Sequence, residues 1–220
     1  AKIDEIPYDF LRKCLTIVTG EGGDAERHLV ITKGAFSNVL SFCTQVEHDG
    51  AVCALTDAVT SELSAYYEAK GKAGFRVLAL ASRAVSAKGA YQRDDEGEMV
   101  FAGFLLFLDP PKADAARVLG DLARLNVEVK VITGDNRFVT GHLAATVGLD
   151  PTSMLTGDAL TKLDDEALWH AARKTSLFAE IDPQQKERIV RALQRTGHSV
   201  GYLGDGINDA PALHAADGGI

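Results

Sequence analysis

The sequence VEVKVITGDN, Val127–Asn136, is a strand-like run that leads directly into a short polar loop. The residues after it, from about Phe138 to Val147, have the periodicity of a helix. Before it, the run FAGFLLFL predicts another strand, and the helix between the two strands has apolar residues at intervals of three and four, namely Val118, Leu119, Leu122 and Leu125. This alternation predicts an α/β fold with a parallel sheet covered by helices on both faces.

The same alternation continues toward the C-terminus. A helix over DDEALWHAARKT precedes the strand LFAEI, and a helix beginning near Pro183 precedes the strand SVGYL. Acidic loops follow three of the predicted strands, at Asp109, at Asp135, and at Asp205 with Asp209. If these strands are parallel neighbours, the three loops open onto one edge of the sheet, where such sheets bind ligands.

The first part of the chain has a different pattern. KCLTIVT and RHLVITKG predict two antiparallel strands joined by a glycine-rich loop, and AFSNVLSFC predicts a short helix. A second helix is predicted from Leu55 to Gly71, followed by the strand GFRVLALASRAV. The polar stretch KGAYQRDDEGE then predicts a domain boundary or hinge, which divides the chain into residues 1–97 and 98–220.

Composition restricts the function. The 220 residues have a formal net charge of -8, and no basic stripe offsets it, which argues against a nucleic-acid binder. Three cysteines form neither a CxxC pair nor an even set, so neither a disulfide framework nor a zinc site is expected. The longest apolar run has ten residues, half of the roughly 20 that span a bilayer, and the N-terminus lacks signal-peptide features. These residues alone are expected to be soluble.

The loop GYLGDGIND, Gly201–Asp209, places two aspartates four positions apart among glycines. Two carboxylates about 4 Å apart repel by roughly 4 kcal/mol at an effective dielectric of 20, so a site that keeps both ionised favours a cation. Oxygen ligands near a phosphate suit Mg²⁺. The alternative is an ordinary turn in which Asn208 or Asp209 caps the helix APALHAA.

Two further features point to phosphate. Thr133, Gly134 and Asp135 lie at a strand end before a helix, where backbone amides bind anions, although a capping turn has the same pattern. Lys186 lies just inside a helix and could pair with a phosphate or acylphosphate, although lysines on amphipathic helices are usually only solvated.

Four motifs occur together in a recognisable order. KGA at Lys33–Ala35, DPPK at Asp109–Lys112, TGDN at Thr133–Asn136 and GDGINDAPAL at Gly204–Leu213 closely resemble the cytoplasmic part of P-type ATPases, ion pumps of the haloacid dehalogenase-like superfamily. The resemblance implies the C-terminal part of an α+β nucleotide-binding domain with an antiparallel sheet over residues 1–97. It implies most of a phosphorylation domain with a haloacid dehalogenase-like parallel sheet over residues 98–220.

Within that family, KIDEIPYDFLRK, CTQVEHDGAVCALTD, AYQRDDE and FLDPPK resemble the bacterial magnesium-transporting branch. For the nucleotide, the resemblance implies that Tyr8 lies against adenine, that Lys33 and Gly34 form part of the pocket, and that Arg76 reaches the ATP phosphates. Asp109 resembles the hinge-side acid of the DPP motif.

For the phosphoryl group, the resemblance implies that Thr133, Gly134 and Asp135 hold the transferred phosphate and that Lys186 neutralises a phosphoaspartate. Asp205 would bind Mg²⁺, with Asn208 and Asp209 supporting metal and phosphate beside it. Phosphoryl transfer depends on such positioning and charge neutralisation.

This sequence departs from the family pattern at two points. Glu180 stands where many relatives have an arginine, and the nucleophilic aspartate of a DKTGT motif is absent from the 220 residues. The chain is therefore expected to be a fragment whose nucleophile lies upstream, and its parallel sheet is expected to lack the strand that carries it.

The parent implied by the resemblance is an ATP-driven cation pump, most similar to magnesium transporters, that passes through an aspartyl-phosphate. It would lie in the inner membrane with this region on the cytoplasmic side. Its partners would be ATP, Mg²⁺ as cofactor, a transported cation bound by absent membrane helices, and the rest of the pump. The alternatives are a soluble phosphatase of the same superfamily, a calcium or proton pump, and a non-catalytic nucleotide-binding module.

Overall fold

The computed structural model describes residues 1–9, 12–21, 24–204 and 206–220. The chain forms two compact units. The first comprises Ala1–Lys70 and Phe75–Phe107, and the second comprises Gly71–Gly74 and Leu108–Ile220. Each unit has its own hydrophobic core and is described separately.

The first unit is built on a seven-stranded sheet. Its strands, in chain order, are β1 (Lys2–Asp9), β2 (Cys14–Glu21), β3 (Asp24–Gly34), β4 (Cys43–His48), β5 (Ala51–Ala54), β6 (Phe75–Ser86) and β7 (Met99–Leu108). Their spatial order is β1-β2-β3-β6-β7-β4-β5. The helices of this part are α1 (Phe36–Leu40) and α2 (Asp57–Lys72).

Most pairs in this sheet are antiparallel. The predicted hairpin of β2 and β3 is confirmed, with Ile17 opposite Ile31, and β3 pairs in turn with β6. Only β4 and β7 run parallel among the pairs with a described register. Buried residues alternate along β6, because Val77, Ala79 and Ala81 face the core while their neighbours are half-buried or exposed.

The core of this unit lies between that face of the sheet and the helices. Val18, Val30 and Ala79 from the strands pack with Phe36 of α1, and Tyr67 of α2 stacks on Phe36 with ring centroids 4.9 Å apart. The predicted helix over AFSNVLSFC ends earlier than expected, since α1 stops at Leu40 and Cys43 already begins β4.

The polar stretch after β6 is bound to the sheet, so the prediction of a hinge there is wrong. The Tyr91 backbone N–H donates to Asp4 at 2.8 Å, the Tyr91 hydroxyl is 2.7 Å from His28 Nδ1, and Arg93 pairs with Asp9. Glu96 is buried and accepts hydrogen bonds from Arg12 and from the Thr16 hydroxyl. The residues between 88 and 98 are polar because they form these contacts, and we call them the strap.

The strand β7 belongs to the sheet of the first unit, although the sequence predicted it as the first strand of the second domain. Its beginning pairs with β4, with Cys43 opposite Met99 and Val46 opposite Phe101, and both Met99 and Phe101 are buried in the first core. The two compact units therefore divide at Phe107 and Leu108.

The second unit alternates helices with short parallel strands. Its helices are α3 (Ala115–Arg124), α4 (Arg137–Thr146), α5 (Gly157–Thr161), α6 (Asp165–Lys174), α7 (Pro183–Arg195) and α8 (Ala210–Ala215). Its strands are β8 (Val131–Ile132), β9 (Met154–Thr156), β10 (Leu177–Ala179), β11 (Gly201–Tyr202) and β12 (Gly218–Gly219). All pairs with a described register in this unit are parallel.

The parallel strands form two small sheets instead of one. One has the order β8-β10-β9 and the other pairs β11 with β12. The strands before the three acidic loops are β7, β8 and β11, and they lie in three different sheets. The prediction that these strands are neighbours in one parallel sheet is therefore wrong for the described residues.

Two hydrophobic clusters underlie these sheets. Leu160, Leu168, Phe178 and Ile189 form the larger one, and Val190, Tyr202 and Ala212 form the smaller one. Ile132 and Val200 pack against both clusters. In contrast, α3 has no buried residue, and Val118 and Leu125 of its apolar stripe are exposed.

Two further observations concern the helices and the cysteines. Within the part of the chain that the structure describes, no helix is long and apolar enough to cross a bilayer. Cys14, Cys43 and Cys53 are free thiols, as predicted, and burial raises the pKa of Cys14 to about 11 and that of Cys43 to about 12.

Candidate functional site

The uncovered face of the first sheet carries the predicted nucleotide residues. Lys33 lies on β3 directly between Leu15 of β2 and Leu80 of β6, and both leucines are half-buried. Arg76 is on the same face of β6 as Leu80, about 13 Å away at 3.3 Å per residue. Lys33 and Arg76 are both exposed. Two basic side chains therefore stand beside an apolar floor.

Tyr8 lies near Arg76. Partial burial raises the pKa of the Tyr8 phenol, while the positive charge of Arg76 acts in the opposite direction. Tyr8 is 51% exposed. Tyr8, Lys33 and Arg76 thus combine an aromatic ring with two cations on one sheet.

Gly34 has a clear structural role. A Cβ at this position would lie 2.6 Å from Cys14 Sγ and 2.8 Å from Cys14 Cα, so only glycine allows β2 and β3 to approach this closely. The sequence pattern predicted a part of the nucleotide pocket here, and the close approach accounts for the glycine without a ligand.

The loop after β8 is held by β10. The Thr133 N–H donates to the Phe178 carbonyl at 2.9 Å, and the Glu180 N–H donates to the Asp135 carbonyl at 2.8 Å. Within the loop, the Asp135 N–H donates to the Thr133 hydroxyl at 3.1 Å. Thr133 and Asp135 are partly buried and Gly134 is exposed, so the loop is ordered by hydrogen bonds but open on one side.

The N-terminus of α4 is already capped. The Asn136 side chain accepts hydrogen bonds from the Phe138 and Val139 backbone N–H groups at 3.0 and 2.9 Å. Glu180 accepts from the Arg137 backbone N–H at 3.1 Å and forms a bidentate pair with its guanidinium. These side chains occupy the Arg137, Phe138 and Val139 amides, so the first turn of α4 itself is not an open anion site.

The second unit contains a buried carboxylate, that of Asp209. Lys186 Nζ lies 2.6 Å from Asp209 Oδ1, and the Tyr202 hydroxyl donates to the same oxygen at 2.8 Å. The Gly206 N–H donates to Asp209 Oδ2 at 3.2 Å. Asp209 is only 8% exposed, and the Lys186 side chain is 12% exposed. The structure thus brings two of the predicted site residues, Lys186 and Asp209, into direct contact.

Gly204 makes this arrangement possible. A Cβ at Gly204 would lie 2.7 Å from the Asp209 Cβ and 2.9 Å from Tyr202 Cε1. No side chain fits there without moving one of those two residues. The glycine thus lets the backbone pass directly beside the carboxylate.

The electrostatics of this cluster favour an ionised Asp209. Burial acts to raise its pKa, but the hydrogen bonds from Lys186 and Tyr202 and the charge of Lys186 outweigh burial, so the pKa is held below its usual value. Burial, together with the hydrogen bond to Asp209 and its negative charge, raises the pKa of Tyr202. At neutral pH the cluster is an ammonium, a neutral phenol and a carboxylate.

The alternative capping role of Asp209 is not observed. Asp209 precedes α8 but makes no side-chain hydrogen bond to that helix, because its oxygens bind Lys186, Tyr202 and Gly206 instead. Asn208 is partly buried beside it in a short 3-10 helix.

Two predicted acidic site residues remain, Asp205 and Asp109. Asp205 lies outside the described residues. Asp109 follows β7, is exposed, and forms no hydrogen bond or ion pair among the residues with described positions. The same residues contain no group of three or more His, Cys, Asp or Glu side chains arranged to hold a metal ion.

Sequence reasoning did not identify Tyr202, and it did not identify Arg137 as the partner of Glu180. One sequence feature could have indicated Tyr202: its side chain has a hydroxyl, and it lies in an apolar run directly before an acidic loop. For Arg137 no local signal existed, since its partner is 43 positions away in the chain.

The first unit is a mainly antiparallel sheet with exposed aromatic and basic side chains, and the second unit has parallel strands with a buried lysine–aspartate cluster. A family model described as "P-type ATPase, cytoplasmic domain N" matches residues 1–114. The chain belongs to the P-type ATPase family, as the motifs predicted.

Individual relatives cover the whole chain. It is 42% identical over 220 residues to "Magnesium-transporting ATPase, P-type 1" of Escherichia coli K12, and 43% identical to the protein of the same name of Salmonella typhimurium LT2. A "Calcium-transporting ATPase" of Bacillus subtilis is 29% identical over 221 residues, which is 99% of this chain and 25% of that protein. The first two matches include 100% of this chain but only 24% of each relative, so the chain spans about a quarter of their length.

Proposed function

We propose that this chain is the ATP-binding and phosphoryl-transfer region of an ATP-driven cation pump whose cargo is Mg²⁺. Family membership supports a pump, and the two magnesium-transporting relatives support the cargo. The single structural observation that carries the proposal is the buried Lys186–Asp209 pair beside the glycine turn. We place this region on the cytoplasmic side of a membrane protein.

The first unit supplies the nucleotide site in this proposal. The Tyr8 ring stacks against the adenine, over the apolar floor formed by Leu15 and Leu80. Lys33 and Arg76 neutralise the phosphates, since Lys33 forms no ion pair or hydrogen bond of its own among the described residues. The first unit, which ends at Phe107, then corresponds to the C-terminal part of a nucleotide-binding domain.

The second unit supplies the phosphoryl site. The part of the chain from Leu108 onward corresponds to most of a haloacid dehalogenase-like phosphorylation domain, in which Thr133, Gly134 and Asp135 hold the phosphoryl group. Lys186 places its ammonium against the developing charge. Electrostatic positioning of this kind is the main means by which such transfers are accelerated.

The available donors fit Mg²⁺. A carboxylate has about four lone-pair positions, and three of those on Asp209 are taken, so Oδ2 retains one. A single carboxylate oxygen suits an ion that keeps several waters. In this proposal Asp205 is the main metal ligand, with Asp209 Oδ2 and Asn208 supporting it, and bound Mg²⁺ would neutralise the charge of phosphate oxygens. For Asp109 we propose only the role that the resemblance implies, that of the hinge-side acid in the DPP motif.

The nucleophile is proposed to come from a segment outside the 220 residues. Within the described residues, β8 pairs only with β10 and β11 only with β12, so each has an open edge. Ile132 and Val200, which adjoin these two strands, pack against the same two clusters. A parallel strand inserted between β8 and β11 would join the two small sheets, and the exposed apolar stripe of α3 provides a surface to cover it.

Other members of the family remain an alternative for the cargo. The calcium-transporting relative matches almost the whole chain at lower identity. The soluble phosphatase alternative is not favoured, because the relatives that match the whole chain are named as transporting ATPases.

ATP titration calorimetry on the chain tests the nucleotide site. Lys33→Ala is expected to weaken ATP binding about three- to tenfold, since it removes a cation from the phosphates. Lys162→Ala, which removes an exposed lysine at the end of α5, is the matched control and is expected to bind as the unsubstituted chain does. Equal affinities for the two variants would remove Lys33 from the pocket.

A further inference from the structure

Three donors from three different parts of the second unit meet at one carboxylate. Lys186 comes from α7, Tyr202 from β11 and Gly206 from the turn after it. Two of them, the ammonium and the phenol, share Asp209 Oδ1. An oxygen that accepts both hydrogen bonds is fixed in position more tightly than one that accepts either alone.

Tyr202 is held rigidly enough to act as an anchor. Its side chain is 9% exposed, and its ring packs with Val190 and Ala212. A buried hydroxyl requires a partner, and the Asp209 carboxylate supplies it. A Cβ at Gly204 would lie 2.9 Å from Tyr202 Cε1, so the ring lies close to the Gly204 backbone on one side.

The position of Lys186 depends on this anchor. An ammonium has three N–H donors, and Lys186 uses one of them on Asp209 and none on any other described residue. The remaining two are available to a phosphate. Their direction follows the orientation of the Asp209 carboxylate, and without the phenol that carboxylate could rotate about its Cβ–Cγ bond.

We propose that Tyr202 is a positioning residue for phosphoryl transfer, which holds Asp209 so that the Lys186 ammonium presents its two unused donors to the phosphoryl group. This inference rests on the proposed function. Tyr202 touches neither the nucleotide nor the phosphate in this role, and it acts only through Asp209 and Lys186.

The first test is kinetic and uses the longer protein that contains this chain. Tyr202→Phe keeps the ring and removes only the hydroxyl, so kcat for ATP hydrolysis is expected to fall about three- to tenfold while KM for ATP stays within about twofold. Tyr66→Phe is the matched control, because the Tyr66 ring is exposed on α2 and its hydroxyl forms no hydrogen bond among the described residues. It is expected to behave as the unsubstituted protein.

The second test is spectroscopic. In NMR spectra of the 220-residue chain, the Tyr202 hydroxyl proton and the Lys186 ammonium protons are expected to exchange slowly with water, because both are hydrogen-bonded to a buried carboxylate. In Tyr202→Phe the Lys186 ammonium signal is expected to shift and broaden.

The outcomes separate the two proposals. Hydrolysis that Tyr202→Phe leaves unchanged, or a Lys186 signal that it leaves unchanged, would overturn the positioning role alone. Absence of ATP hydrolysis by the unsubstituted protein would overturn the proposed function and this inference with it.

Discussion

At the scale of single residues, few polar or charged side chains are buried among the described residues. Asp209 is the clearest case, since a buried carboxylate is stable only when charge and hydrogen bonds compensate for its lost hydration. Lys186, Tyr202 and Gly206 provide that compensation. The same contacts hold the Lys186 ammonium against the carboxylate.

Removing Lys186 should therefore destabilise the second unit. Lys186→Met leaves a buried carboxylate without its cation, and we expect the free energy of unfolding to fall by about 2 to 4 kcal/mol. Denaturant unfolding of the chain measures this. Lys162→Met is the control, with an expected change within about 0.5 kcal/mol.

A second substitution separates charge from packing in the same experiment. Lys186→Met combined with Asp209→Asn removes both charges, and we expect it to recover part of the loss because no uncompensated charge remains buried. If Lys186→Met is as stable as the control, the ion pair does not contribute to folding.

At the scale of elements, the strap is fixed to the sheet by groups that titrate. Hydrogen bonds from the Glu5 and Tyr91 backbone N–H groups lower the pKa of Asp4 below its ordinary value of 3.8. A carboxyl whose pKa is lower in the folded state stabilises the fold above its unfolded pKa and loses that effect as pH falls through its folded pKa.

Asp4→Asn should thus be less stable than the unsubstituted chain at pH 7, with a difference that shrinks as pH falls below about 4. Denaturant midpoints at a series of pH values check this. Asp94→Asn, an exposed strap residue with no hydrogen bond among the described residues, should show no such convergence. A pH-independent difference for Asp4→Asn would contradict the role given to its charge.

The N-terminus of α4 offers a second test at this scale. Glu180 adopts a left-handed backbone with φ of 61° and places its carboxylate against the first N–H of the helix and the Arg137 guanidinium. Glu180→Gln should cost about 1 kcal/mol, since it weakens an anion at a helix N-terminus and a bidentate pair.

Glu187→Gln is the matched control for that change. Glu187 forms a surface pair with Arg191 on α7, of a kind that contributes about 0.3 to 0.5 kcal/mol. Equal losses for the two variants would show that the α4 contact is only another surface ion pair. The Arg137 amide should also exchange faster in Glu180→Gln than in the control.

Helices and hairpins were predicted well where the periodicity or the turn residues that indicate them lie within the element itself. The helices α2, α4, α6 and α7 and the hairpin of β2 and β3 were all predicted from periodicity and turn residues. The strap was mistaken for a hinge because a polar linker and a polar segment tied down by ion pairs have the same composition. The partner of β7 could not be predicted, since an apolar run does not encode which strand it joins.

The site was predicted by residue type more than by geometry. Lys186 and Asp209 were predicted together, and the structure brings them within 2.6 Å. The meeting of the three acidic loops was not confirmed, because it depended on strand order, a long-range property. Tyr202 was missed because its role arises only when β11 and the glycine turn fold back on each other.

At the scale of the whole molecule, the parallel strands of the second unit form two separate small sheets. In this chain β10 is paired on both sides, whereas β8 and β11 each pair on one side among the described residues. Hydrogen exchange should therefore protect the amides of β10 more than those of β8 and β11. Full and equal protection of all three strands in a monomer would contradict the proposed open edges.

Acid-quenched labelling with ATP that carries radioactive phosphate at the γ position tests the central claim most directly. We predict no covalent label on the 220-residue chain, and a hydroxylamine-sensitive label on the longer protein that contains it, because our proposal assigns the nucleotide face and Lys186 to this chain and the nucleophile to a segment outside it. A label traced to an aspartate within residues 1–220 would contradict this.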